Sequence, residues 1–419
     1  MAASAQRESN RGTALVLLLG ALVLLNYVDR GAIGIAAPKL KDELALSAAQ
    51  FGVAVSAFAW IYAPAQFAVG WLTDRFCVYR LIALGLAIWS LATFFTGFAG
   101  GLASLVMLRL ALGIGEGVAF PAASKIIARH VSGARRGIAN AVPAAALAFG
   151  PAVGTFAGGL ILGYSGWRPI FFLFGGITIL WLIPWLLTSR PEWRAKQERE
   201  ESAVGIRDVM RQPIVWSMGI GHFANTYGFY FLLAWLPLFL IKVRGFSIFD
   251  MTAVTTATYV VQALGALFWG WLSDQLVRMG RDAGNLRKAL MSLNLSVSAI
   301  AILGIGYSIA PPVIFAWLIL NALFSGIGGT NCYAISQIYA GPEASGRWVG
   351  VMNGLGNLSG IVGPILTGVL VERTGSYMPA FAVSAAIVGA GALWWWFGLP
   401  RVRPLVLGRE SAAGALAPA

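Results

Sequence analysis

Charge is what this chain has least of. Only 11% of its 419 residues are Asp, Glu, Lys or Arg, and it has two histidines and two cysteines. Two cysteines, Cys77 and Cys332, offer neither a disulfide framework nor metal-ligand spacing, so no metal and no cofactor are expected. Walker, kinase, hydrolase and zinc signatures are missing, which leaves nothing to support ATP-driven transport or membrane enzymology. Ten-residue segments of alternating hydrophobicity are also missing, which argues against an outer-membrane barrel.

Apolar runs are abundant instead. Hydrophobic residues make up 58% of the chain and mean hydropathy is +0.75, well beyond soluble averages. A bilayer core of about 30 Å takes roughly 20 apolar residues per helix. Twelve such stretches follow one another, near 13–36, 50–72, 80–100, 102–128, 137–162, 167–188, 213–242, 250–277, 287–309, 311–341, 346–372 and 377–399. Only helices satisfy their own backbone in lipid without closing a barrel, so the expected fold class is an all-α membrane protein of twelve transmembrane helices. The first stretch is too long for a signal-peptide core and carries Asp29 and Arg30, so it reads as a retained span.

A net charge of +13 is of the size that nucleic-acid binders carry, but the positions of the charges say otherwise. With the N-terminus inside, 21 of the 30 Lys and Arg residues fall on inner segments, six on outer segments, and Arg30, Arg109 and Lys125 within spans. The positive-inside rule then places both termini in the cytoplasm of an inner (plasma) membrane protein. No nucleic-acid partner is needed.

The longest polar segment, "SRPEWRAKQEREESAVGIRDVMRQP", begins at Ser189 and separates six spans from six. The expected organisation is a six-helix bundle over 1–188, a cytoplasmic linker over 189–212, a second bundle over 213–400 and a tail over 401–419. Short matches link the halves: "GWLTDR" at 70–75 with "GWLSDQ" at 270–275, Asn140 with Asn353, and Gly150-Pro151 with Gly363-Pro364. Shared order and sidedness mean parallel repeats around a common cavity. The Gly-Trp-Leu pairs are expected at cytoplasmic turns, where Gly70, Asp74, Arg75 and Asp274 would form a conformational latch or merely a basic loop.

At this point the chain resembles the major facilitator superfamily. "GWLTDRFCVYR" is similar to that family's loop signature after the second helix, with Tyr79 and Arg80 at the closing positions where Arg and Lys are usual. A charge at the bilayer centre costs about 2.5–3.5 kcal/mol on insertion scales, which makes intramembrane ionisable residues functional candidates. The first span holds Asp29 and Arg30 in "NYVDRG"; the fourth holds Arg109 and Glu116 in "RLALGIGEG". Lys125, near the inner end of that span, can snorkel. Seven residues separate Arg109 from Glu116, about 10.5 Å along a helix, so neither satisfies the other. Crossed pairing is expected: Asp29 with Arg109 and Arg30 with Glu116. Such a set could run a proton-linked anion cycle, or simply hold helices in register.

"NYVDR", Tyr62, "RLALGIGEGVAFP", "GFYFLLAWLPLFL" and "GNLSGIVGPILTG" together resemble the anion:cation symporter branch of the superfamily, across essentially all spans. The resemblance implies two six-helix bundles and proton-coupled transport of organic anions. It implies that Arg30 and Arg109 meet the anionic group, that Asp29 and Glu116 carry protons, and that Tyr27 and Tyr62 hydrogen-bond the ligand. Sugar-acid carriers of this branch place a Gln eleven residues after the Arg that opens the fifth helix; here that position is Leu147. A buried sugar hydroxyl needs a partner, so a less hydroxylated carboxylate fits better.

Weaker candidates lie in the second half. Asn225, Tyr227 and Tyr230 flank Gly228 in a segment similar to the discontinuous helices that line transport sites. Asn331 and Tyr333 follow "SGIGGT", and Asn353 and Asn357 share the eleventh span. His222 suits a structural role as well as a relay, and Trp394–Trp396 reads as an interfacial belt. The expected protein is a monomeric importer of a small organic anion with protons, in the lipid bilayer. An exporter or exchanger of amphipathic compounds, or a membrane receptor, would share the composition.

Overall fold

The computed structural model describes residues 2–117, 119, 122–123, 126–127, 136–189 and 204–405. Among these residues there are helices and no strand. In the first half they are α1 (Ala2–Glu43), α2 (Ala48–Arg75), α3 (Val78–Thr96), α4 (Leu102–Glu116), α5 (Arg136–Ser165) and α6 (Arg168–Ser189). A short α7 (Ile206–Met210) precedes α8 (Pro213–Lys242), α9 (Ile248–Arg278), α10 (Ala283–Tyr307), α11 (Pro311–Asn357), α12 (Ser359–Thr374) and α13 (Met378–Leu393). Eleven helical segments among the described residues are long and apolar enough to cross a membrane. Much of the remaining expected span, beyond α4, falls outside the described residues. The chain is an all-α membrane protein of the twelve-helix class.

Local sequence explains the boundaries. Ser47 and Gln50 form a reciprocal capping box that starts α2, and Asp282 caps α10 by accepting from Asn285 N. Gly375, with φ 66°, closes α12 in the left-handed region. Gly341, with φ 64° and ψ 179°, breaks α11 internally where residues with a Cβ would be strained.

Three expectations are corrected. "GWLTDR" and "GWLSDQ" are not turns: α2 stays helical to Arg75 and α9 to Arg278, because neither motif has a proline or a second glycine to stop the ladder. Nor is the Asn225–Tyr230 segment discontinuous, since α8 runs unbroken over it. The eleventh span is the interrupted one, between Asn357 and Ser359. Trp394 to Trp396 form a π-helical turn whose middle residue, Trp395, is fully buried while Trp394 and Trp396 are exposed, so one indole is core rather than belt.

The chain forms two compact units. One comprises Met1–Arg199 with Leu233–Val260, the other Glu200–Leu232 with Val261–Ala419. Lipid tails are as apolar as leucine, so packing in such units depends on small residues that let backbones approach. In the first unit a Cβ on Gly113 would lie 2.5 Å from the Phe58 carbonyl oxygen, and one on Gly115 would lie 2.5 Å from that of Gly85. These two glycines seat α4 against α2 and α3. A Cβ on Gly150 would lie 2.6 Å from Tyr27 Cβ, and one on Gly154 2.7 Å from the Val28 carbonyl oxygen, which seats α5 on α1. The first unit also includes the stretch from Leu233 to Val260. Gly34 meets the Leu233 carbonyl, Gly159 meets Thr252, Lys242 pairs with Asp42, and Phe51 packs edge-on against Trp235 at 5.3 Å.

Within the second unit Gly363 faces the Tyr227 ring at 3.6 Å. The glycine of each Gly-Pro pair therefore receives a tyrosine from the opening helix of its own half, Tyr27 at Gly150 and Tyr227 at Gly363.

Candidate functional site

The "GIGEG" run places Glu116 in the interior of the first unit because the glycines before it remove the side chains that would hold α4 away. Glu116 is 2% exposed and accepts from Arg30 Nε through Oε2 at 2.8 Å. The Arg30 guanidinium carbon also lies 4.9, 5.3 and 4.6 Å from the ring centroids of Tyr27, Phe58 and Tyr62. A cation held over three aromatic faces loses hydration but gains the attraction of the ring quadrupoles. Phe58 and Tyr62 stack at 4.8 Å, and the Arg109 guanidinium carbon sits 5.4 Å from the Phe58 ring. One phenyl ring thus borders both arginines.

Asp29 does not complete the crossed pairing. Its Oδ2 accepts from Trp89 Nε1 on α3 at 2.6 Å rather than from Arg109. The reason is the helical rotation of about 100° between neighbours: while Arg30 points to α2 and α4, Asp29 points to α3. Around this point several buried polar atoms crowd together without closing hydrogen bonds of good geometry: Asp29 Oδ1 and the Thr178 hydroxyl, and Glu116 Oε1 and the Asn26 amide. A buried polar atom costs about 1–3 kcal/mol when left wholly unmet, and a cluster of imperfectly met ones marks a place that can accept a further polar partner.

Leu147 is half-buried on α5, three residues before the Gly150 that receives Tyr27. The first unit therefore holds Tyr27, Asp29, Arg30, Tyr62, Arg109, Glu116 and Leu147. Among the latch candidates, Gly70 and Arg75 lie on α2, with Arg75 exposed, and the Asp74 side chain falls outside the described residues. Trp89, Asn26 and Phe58 escaped the sequence reading. Asn26 could have been suspected, since it lies three residues before Asp29 on one helix face; Trp89 carries no signal among 16 tryptophans.

The second unit gathers neutral polar groups. Tyr230 donates to Asn357 Oδ1 at 2.6 Å, Asn357 Nδ2 donates to the Asn353 carbonyl at 2.8 Å, and Tyr333 donates to Asn353 Oδ1 at 3.3 Å. Asn225 Oδ1 accepts from Asn294 at 3.1 Å, separately from that chain. Asn331 is buried and engaged by Ser273 at 3.2 Å, and His222 lies 3.6 Å from Cys332 Sγ. Asp274 on α9 pairs with Arg287 on α10 at 3.2 Å.

The sequence pattern of the Major Facilitator Superfamily matches residues 19–281 and 248–418. The chain belongs to the Major Facilitator Superfamily. It is a multi-pass membrane transporter and not an enzyme. The probable sulfoacetate transporter SauU of Cupriavidus necator is 30% identical over 90% of this chain and 92% of its own length. The D-galactonate transporter of Escherichia coli is 28% identical over 93% of this chain and 96% of its own. Full-length likeness to carriers named for anions supports the anion:cation symporter branch of the Major Facilitator Superfamily, as "NYVDR" and "RLALGIGEGVAFP" led one to expect. A crystal structure of a bacterial homologue of the human lysosomal transporter Spinster superimposes with a TM-score of 0.77 at 20% identity, over 92% of this chain and 96% of that one. That likeness supports the superfamily fold.

Proposed function

We propose that the protein imports a small, sparingly hydroxylated organic anion together with protons, by alternating access between a bundle over 1–188 and one over 213–400. The observation that supports it best is the buried Arg30–Glu116 pair inside its aromatic enclosure. Buried ion pairs contribute little net stability, so a chain with this few charges gains little by keeping one for packing. Protonation of Glu116 would release Arg30 to meet an anion, and deprotonation would return it. Arginine suits this exchange because it stays charged and its planar fork fits a carboxylate. Arg109, across Phe58, supplies a second positive group for the ligand, and Tyr27 and Tyr62 supply phenolic hydroxyls. Asn225, Tyr230, Asn331 and Asn357 offer neutral hydrogen bonding for the rest of the molecule, and Asp274 with Arg287 supports a cytoplasmic latch. Both termini would be cytoplasmic and the protein would act as a monomer.

Leu147 bears on substrate class. An aliphatic side chain at that position leaves hydroxyls unmet, and of the substrates named for the two relatives, sulfoacetate has no hydroxyl whereas galactonate has several. The test is a thermal-shift panel of sulfonates, short and aromatic carboxylates, sugar acids and cationic amphiphiles, followed by uptake into proteoliposomes with and without an inward proton gradient. Accumulation of a carboxylate or sulfonate that collapses with the gradient is expected. Stabilisation by cationic amphiphiles alone would overturn the reading in favour of an exporter.

A further inference from the structure

Asp29 is held differently from the other buried acid. Glu116 meets an arginine, whereas Asp29 meets an indole: Trp89 Nε1 donates to Oδ2 at 2.6 Å, with both residues buried. An indole N–H can only donate, so the bond favours the ionised carboxylate and cannot complete a hydrogen bond from the protonated one. The same tryptophan backs onto α4. A Cβ on Gly115 would lie 2.6 Å from both Trp89 N and Trp89 Cβ, and Gly115 directly precedes Glu116. One α3 residue therefore grips the Asp29 carboxylate and borders the backbone that carries Glu116.

Besides Trp89, Asp29 has two hydroxyls and one like charge for neighbours. From α4 the charge that reaches it is Glu116; Thr93 of α3 and Thr178 of α6 lie beside it. The α6 charge, Arg168, is taken up by Glu43 at 2.9 Å. On α5 the one ionisable side chain among the described residues 142–165 is Tyr164, exposed and packed on Phe249. On its own helix, Arg30 is engaged by Glu116.

We propose that Trp89 is a positioning residue for proton coupling: its indole N–H holds Asp29 on α3, apart from the Arg30–Glu116 pair, so that Asp29 exchanges its proton without entering the ion pair whose exchange is governed by protonation of Glu116. The inference rests on the reading of Asp29 as a proton carrier. It gives the two acids separate partners and the separation a physical agent.

The experiment compares wild type, Trp89→Phe and Asp29→Asn in proteoliposomes, as the pH dependence of uptake of the anion identified by the panel. It is paired with an infrared titration of the buried carboxylic acid band that Asp29→Asn removes. Trp89→Phe keeps a ring and deletes the N–H, so the pH of half-maximal uptake and the titration of the Asp29 band should both rise by about one unit, a tenfold change in proton affinity. An unchanged profile in Trp89→Phe, with Asp29→Asn abolishing pH dependence, would reduce Trp89 to packing while leaving the symport reading intact. Wild-type pH dependence in Asp29→Asn would remove the proton-carrier role itself, and this inference with it. Biosynthetic 5-fluorotryptophan provides a second arm that does not depend on the Phe variant folding. It strengthens each indole N–H as a donor, and the Asp29 band should titrate a few tenths of a unit lower; no movement overturns the proposal.

Discussion

Removing either partner of the Arg30–Glu116 pair should cost much more than removing both. The pair is 2.8 Å long, and the side chains are 9% and 0% exposed. Stripping one charge from such a pair leaves the other buried and uncompensated, at about 3–5 kcal/mol. The aromatic enclosure does not reduce that loss in Glu116→Gln, because Tyr27, Phe58 and Tyr62 surround the guanidinium before and after the substitution. It sets what Arg30 keeps. In Arg30→Gln the stranded group is a carboxylate, which can escape by taking a proton, so that variant should lose about 3 kcal/mol at neutral pH and less at acidic pH. Arg30→Gln with Glu116→Gln strands no charge and should be less destabilised than the sum of the single variants by about 2–3 kcal/mol. The assay is unfolding of the four purified proteins in one detergent, by denaturant titration at neutral and acidic pH. Additive single losses, within about 0.5 kcal/mol, would mean that the two residues do not act as a pair, and the exchange of partners would lose its basis.

Arg109→Ala should weaken binding of the transported anion by roughly 2–5 kcal/mol, the cost of truncating one side of a buried charged contact; near wild-type affinity in ligand-dependent thermal shift would remove Arg109 from the site. Leu147→Gln adds an amide on the α5 face of Gly150 and should improve binding of hydroxylated acids by about 0.5–1.5 kcal/mol, with no gain for any sugar acid counting against the substrate argument. Gly34→Ala places a methyl group against the Leu233 carbonyl, a backbone atom that cannot swing aside. It should lower stability by about 1–3 kcal/mol, read as the unfolding midpoint, whereas Gly31→Ala, which meets nothing within 4 Å, should stay close to wild type.

The helices were legible because lipid imposes one demand on every span, and runs of twenty apolar residues have no other common use. The first-unit site was legible for the converse reason: in a chain with so few charges, Asp29, Arg30, Arg109 and Glu116 stand out against their apolar surroundings. Partner choice was harder. Pairing by opposite charge anticipated Arg30 with Glu116, but Asp29 turned to an indole because geometry, and not charge, decides which neighbour a rotating helix presents. The glycines had the same ambiguity. Nothing in "GIGEG" told which helices its glycines face, and only the packing assigns Gly113 to α2 and Gly115 to α3. Breaks were the least legible feature: Gly228 is ordinary helix within α8, whereas the break falls at Gly341, where the following Pro342 was a signal that the reading of the spans passed over.

The first unit includes Leu233–Val260, and this has a consequence for biogenesis. A ribosome reaches these residues only after all six helices of the first half have been made, and domains generally fold as they emerge. Until then Gly34, Gly159 and Gly163 face lipid or the insertion machinery instead of Leu233, Thr252 and Phe249. The first half is thus completed by a piece of the second. A chain severed in the 190–203 segment and expressed as two fragments should yield an N-terminal fragment that is short-lived alone and rescued by its companion. A nascent chain stalled far enough on for Val260 to have cleared the ribosome should already resist the proteases that degrade one from which only Lys242 has cleared it.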